Sequence, residues 1–173
     1  MRKGEFDNEM TPMPRERRTK TGAEALQSLM RLCSRAEKST GDAYRLMRTW
    51  GVPESEQQGV VDRLKAQRFI DNRRYAEAYT REKSQLAGWG ARKIAMQLRT
   101  KGVERDVIAE AIATLDADVQ MDKLCEKLRR KLRTTKAANA YELRGKLLRY
   151  ALGMGYDYEQ TTAVLDKIVA EEQ

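Results

Sequence analysis

The stretch Arg48-Thr49-Trp50-Gly51-Val52 returns as Arg99-Thr100-Lys101-Gly102-Val103, four identities in five, 51 positions later. A repeat at such a period constrains the fold more than composition does, because it marks one supersecondary unit stacked on copies of itself. The match extends to both sides of the glycine. Ala43 and Met47 correspond to Ile94 and Leu98, and Leu64 follows Gly51 at the distance at which Leu115 follows Gly102. A weaker third copy places Gly155 and Ile168 at that separation, with Leu147 and Ala151 in the Ile94 and Leu98 positions. The chain therefore reads as three units of about fifty residues.

Each unit resolves into three helices. In the first, Ala25, Leu29, Leu32 and Ala36 share a face. Ser39 with Asp42 three later resembles a capping box opening a helix that Gly51 closes, and Pro53 opens the next, with Val60, Val61 and Leu64 inward. In the second, Asp71 or Asn72 caps a helix carrying Tyr75, Tyr79 and Leu86, and Gly88 breaks it. Ala91, Ile94 and Leu98 form a short helix ended by Gly102, followed by one with Val107, Ile108, Ala111 and Leu115 inward. In the third, Met121, Leu124, Cys125, Leu128 and Leu132 keep core-facing helical spacing. Leu143, Leu147 and Ala151 follow, then Ala163, Val164, Leu165 and Ile168. Helices this short cannot bury a face alone, so each trio must pack internally and then on its neighbour. The expected fold is all-α: an elongated, curved array of three tandem three-helix repeats at 23–70, 71–117 and 118–173. Residues 1–22 lack an apolar period and are expected to form a disordered basic tail.

Composition narrows the chemistry. The chain has no histidine, which removes imidazole nucleophile activation, proton shuttling and histidine metal ligation. Cys33 and Cys125 have no zinc-like spacing and read as small apolar side chains in a reducing, cytosolic compartment. Neither a signal-peptide core nor a long apolar run is present, so export by that route and membrane spanning are not expected. Gly88-Trp89-Gly90 and Gly153-Met154-Gly155 lack the strand and the following Lys-Ser or Lys-Thr of a phosphate loop. No cofactor, metal or catalytic residue is expected.

Charge is informative by its distribution. The net +8 conceals a third unit in which ten cations face three anions over residues 119–150, while residues 151–173 hold one cation and five anions. A helix dipole favours cations near a C-terminus, and a solvated face accounts for single lysines, but the whole group exceeds what a dipole uses. The expected basic surface comprises Arg129, Arg130, Lys131, Arg133, Lys136, Arg144, Lys146 and Arg149 in the third unit. In the second, Arg92 and Arg99 lie seven apart on one helical face around Met96, with Lys93 and Lys101 close by. Met96 suits either an adaptable contact surface or packing beneath the next unit. Trp50 and Trp89 adjoin glycines at helix ends, where an aromatic more often packs over a turn than stacks on a base.

Two segments carry a resemblance. Arg68-Phe69-Ile70-Asp71-Asn72-Arg73-Arg74-Tyr75-Ala76 is similar to the "LIDDERFA" junction of the RecX family of recombinase regulators. Gly90-Ala91-Arg92-Lys93-Ile94 with Leu98-Arg99-Thr100-Lys101-Gly102-Val103 is similar to its "G-x-x-R-I-x-x-x-L-x-x-K-G-I" run. The resemblance covers roughly Leu26 to Ile168 and is weakest in the third unit. Asn72 replaces the second acid, Trp50 stands where the first unit often has Lys, and Lys93 stands where the run has Arg. The resemblance implies a cytosolic, monomeric, non-enzymatic regulator that binds RecA filaments on DNA and restrains their ATPase, recombinase and strand-exchange activity. That places it in DNA repair and the SOS response, with single- or double-stranded DNA as a further partner. From charge alone the alternative is a sequence-independent DNA-binding helical repeat protein, for which no base-reading motif is present.

Overall fold

The computed structural model describes residues 19–171, with side chains through 168. Among these residues there are nine α-helices and no strand: α1 (Gly22–Cys33), α2 (Thr40–Thr49), α3 (Glu54–Ala66), α4 (Asn72–Glu82), α5 (Ala91–Thr100), α6 (Arg105–Ala113), α7 (Ala117–Thr134), α8 (Ala140–Gly153) and α9 (Tyr158–Glu171). Helices α1–α3 close over Leu29, Met47, Val61 and Leu64, α4–α6 over Ala76, Ile94, Leu98 and Ile108, and α7–α9 over Leu124, Leu128, Leu147 and Leu165. Each trio thus has its own core.

The repeated glycine marks a repeated turn. Gly51, Gly102 and Gly155 adopt φ of 66°, 71° and 92°, left-handed backbone that costs glycine little. The amide after each reaches back to the same helical carbonyl: Val52 to Met47 at 3.0 Å, Val103 to Leu98 at 3.2 Å and Tyr156 to Ala151 at 3.2 Å. This is a Schellman closure, used three times to end the middle helix of a unit.

The middle helices meet end to end. The Gly41 amide at the start of α2 donates to the Lys101 carbonyl at the end of α5 at 2.9 Å, and the Gly90 amide before α5 donates to Met154 at the end of α8 at 2.8 Å. A Cβ on Gly41 would stand 2.5 Å from the Lys101 oxygen, and one on Gly90 would strike the Gly155 carbonyl. Facing the positive end of one helix with the negative end of the next is favourable.

Several expected positions differ. Leu86 is 84% exposed because α4 runs into a π-helical turn, Lys83–Ala87, whose wider winding carries Leu86 outward and Ser84 inward before Gly88 ends it at φ 61°. Ala36 is exposed because α1 stops at Cys33, so the helical period no longer reaches it. Ala163 is exposed because α9 turns Thr161, Val164, Leu165 and Ile168 inward, and three consecutive residues cannot share one face. The first unit also begins before residue 23: Thr21 and Glu24 form a capping box and Gly22 is already helical and buried. The rest of the expected tail, 1–18, lies outside the described residues. At the start of α4, Asp71 is the cap, accepting from the amides of Arg73 and Arg74.

Candidate interaction surface

Asn72 is released by Asp71 for another task. Its Oδ1 accepts from the Thr40 amide at 3.0 Å and the Thr40 hydroxyl at 3.1 Å, while its Nδ2 donates to the Gly102 carbonyl at 3.2 Å and Glu104 at 2.8 Å. An aspartate could accept but not donate. Beside it, Lys101 pairs with Asp42 at 2.8 Å and Arg45 reaches the same carboxyl at 3.2 Å. Burial pushes Asp42 up, yet the hydrogen bonds from Lys101 and Arg45 outweigh it and hold the carboxyl below its ordinary value. Burial likewise pushes Glu104 up, and the hydrogen bonds from Asn72, its own backbone amide and Lys65 outweigh it, so its pKa is also lowered. Lys101, expected on the binding surface, therefore joins the first unit to the second.

The second junction is built differently. The Arg92 amide donates to Gly155 at 3.1 Å, the buried Tyr156 hydroxyl donates to Gly88 at 3.2 Å, and Gln120 and Lys123 of α7 donate to the side chain and backbone of Ser84 at 2.7 and 3.1 Å. Burial pushes the Tyr156 hydroxyl up to about 12, so it stays a donor at neutral pH. The two bonds to Ser84 come from the π-helical turn, which no composition or period in the sequence announces.

The other expected cations fall in three places. On α5, Arg92 and Arg99 are exposed on either side of Met96, itself 52% exposed and therefore not packed beneath the third unit. Lys93 lies half-buried with its ammonium 4.5 Å from the centre of the Trp89 ring, and Lys83 approaches that ring at 5.7 Å. Trp89 packs on the second core and Trp50 on the first, with Lys20 3.9 Å over the Trp50 ring, so both serve their turns. On α7, Arg129, Arg130, Lys131 and Arg133 are exposed around the core-facing Leu128 and the half-buried Leu132. Arg130 pairs with Glu126 one turn earlier at 2.7 Å. The third group lies on α8 and the loop before it. Arg144 pairs with Asp166 at 2.8 Å, Lys146 with Glu142 at 2.7 Å and with the carbonyl of exposed Lys136 at 2.8 Å, and Arg149 is exposed. The α7 and α8 groups meet where Lys131 lies 5.4 Å over the Tyr150 ring.

Comparison with known proteins bears on this arrangement. Residues 71–112, the second unit, match the family model described as RecX, second three-helix domain. The chain is 31% identical to the regulatory protein RecX of Mycolicibacterium smegmatis over 172 residues, covering 96% of this chain and 89% of that protein. The chain belongs to the RecX family. The RecX protein of Mycolicibacterium vanbaalenii is 30% identical over 164 residues, covering 92% of this chain and 89% of that one. The crystal structure of RecX from Lactobacillus salivarius aligns with a TM-score of 0.69 at 17% identity, covering 86% of this chain and 97% of that chain, a likeness of fold. A second RecX crystal structure aligns at 0.77 over 84% of this chain and 73% of that one. The RecX relatives are named as regulatory proteins. Among the described residues no helix is long and apolar enough to cross a membrane.

Proposed function

We propose that this RecX-family chain is a non-enzymatic, cytoplasmic regulator that binds RecA filaments on DNA as a monomer and lowers their ATPase, recombinase and strand-exchange activity. The observation that carries this reading is the pair Arg92 and Arg99, both exposed on the middle helix of the central unit with exposed Met96 between them. Cations around a soft apolar side chain suit a protein partner whose surface is acidic and uneven. A row of units also offers a long surface to a partner that is itself a repeating helix. Arg129, Arg130, Lys131 and Arg133 extend that surface into the third unit.

Filament ATPase on single-stranded DNA, measured with and without this protein at physiological salt, tests the proposal. The rate should fall at protein concentrations where bare DNA is poorly bound, since nonspecific affinities there are typically only about 10⁻⁴ to 10⁻⁶ M. The alternative, sequence-independent DNA binding, draws support from ten cations against three anions over residues 119–150. Equal affinity for bare DNA and for the filament would favour it.

A further inference from the structure

We propose that the outer groove of the third unit, between Tyr141 and Tyr158, is a stacking site for single-stranded nucleic acid. Tyr141 is 89% exposed and Tyr158 58%, and among the described residues neither hydroxyl makes a hydrogen bond. The two rings bound a groove of about 400 Å³ whose floor is Gly145 and Leu148 and whose edges carry Arg144 and Arg149. Tyr141, Gly145 and Leu148 recur at helical spacing, so the groove follows one face of α8 for about two turns, or ~11 Å. Gly145 keeps that face flat, since a Cβ there would meet only the Arg149 guanidinium, at 3.5 Å.

Neither tyrosine joins the core of the third unit, and exposed aromatic rings beside cations have a chemistry that matches them. Nucleic-acid bases stack on tyrosine faces while arginine meets the phosphates. The Glu142 charge at the rim is compensated by Lys146 at 2.7 Å and Arg144 is paired with Asp166 at 2.8 Å, which leaves Arg149, with no ion pair or hydrogen bond among the described residues, as the cation open to a phosphate. An acidic peptide would use the arginines and leave both rings idle. A duplex would hide its base faces. An unpaired strand uses both features, and the site requires no RecA, so it stands beyond the filament reading.

The test is fluorescence anisotropy of labelled oligothymidylate with the full chain and no RecA present, beside a duplex of equal length. Tyr141→Ala and Tyr158→Ala should each weaken single-strand binding about tenfold, the size expected for losing one stacked base. Tyr141→Phe and Tyr158→Phe should bind like wild type, and duplex binding should be unchanged in all four. Photo-crosslinking of the unaltered protein to an oligonucleotide carrying 5-iododeoxyuridine should mark Tyr141 or Tyr158. Alanine variants that bind oligothymidylate as wild type does, a parallel loss of duplex binding, displacement of the strand by polyglutamate at equal charge, or crosslinks only elsewhere would each overturn the site. RecA inhibition can fail while this result stands, and the reverse, so the two readings are separable.

Discussion

The Lys20 amide donates to the Trp50 carbonyl at 3.0 Å, while the Lys20 ammonium lies 3.9 Å over the Trp50 ring. Trp50 occupies in the first unit the position of Lys101 in the second and Met154 in the third, whose carbonyls receive Gly41 and Gly90 of the preceding units. In the first unit residues 19–20 take that place. Thr19 lies so close to Gly51 that a Cβ there would stand 2.7 Å from its methyl group.

A chain starting at residue 22 should therefore be less stable than one starting at 19. Loss of the Thr21 cap costs ~1 kcal/mol and loss of the Lys20 hydrogen bond a similar amount. A domain of this length shifts by roughly 2–4 °C per kcal/mol, so the melting temperature should drop several degrees. Superimposable thermal melts followed by circular dichroism would show that the segment does not close the first unit.

Asn72→Asp tests the first junction. The substitution removes the donors to Gly102 and Glu104 and sets a carboxylate within hydrogen-bond distance of another. An unsatisfied buried group costs about 1–3 kcal/mol, so ~2 kcal/mol of destabilisation is expected at neutral pH, shown by urea unfolding. Amide exchange should accelerate at Gly41, whose bond to Lys101 spans the same junction. Unchanged protection at Gly41 would mean the junction holds without Asn72.

Acid should loosen that junction as well. Asp42 and Glu104 have lowered folded-state values, so each contributes stability that is fully present above its unfolded value of about 3.9 and 4.3 and is lost as pH falls through the folded value. Unfolding free energy should be level on the neutral side and fall below about pH 4. Lys101→Met should flatten that fall, because it removes the main partner that lowers Asp42. A slope unaltered by the substitution would place the acid sensitivity elsewhere.

The glycine spacing makes the three units legible because left-handed Gly51, Gly102 and Gly155 each satisfy the same backbone bond, leaving the surrounding sequence free to vary. The outward positions of Arg92, Arg99 and Arg129 also follow from the helical period. Leu86 escapes it because a π-helical turn changes the winding, and nothing in Lys83–Ala87 encodes that turn locally. Lys101 reads as one more surface cation until folding brings Asp42, 59 positions away, to 2.8 Å. Tyr141 and Tyr158 escape for the opposite reason: an aromatic in a sequence suggests a core residue, and only the folded structure leaves these two rings outside the core and exposed.

Reversing Arg129, Arg130 and Lys131 to Glu should weaken RecA filament inhibition far more than folding. All three are exposed beside the buried Leu128, so the packed face of α7 is unchanged. Lost dipole interactions should cost ~1–2 kcal/mol in total, because each exposed terminal charge contributes ~0.3–1 kcal/mol and salt screens it. The Arg130–Glu126 pair, 76% and 68% exposed, adds little to that sum. Binding should lose more, since three attractions to an anionic surface become repulsions, and like charges across an interface cost several kcal/mol. Arg92→Glu with Arg99→Glu asks whether the second unit shares the surface. These two lie near the second junction, but only the Arg92 backbone enters it, so the melting temperature should hold. A triple variant that melts near wild type and still inhibits RecA ATPase equally well would remove α7 from the binding surface and leave the α5 pair to carry it.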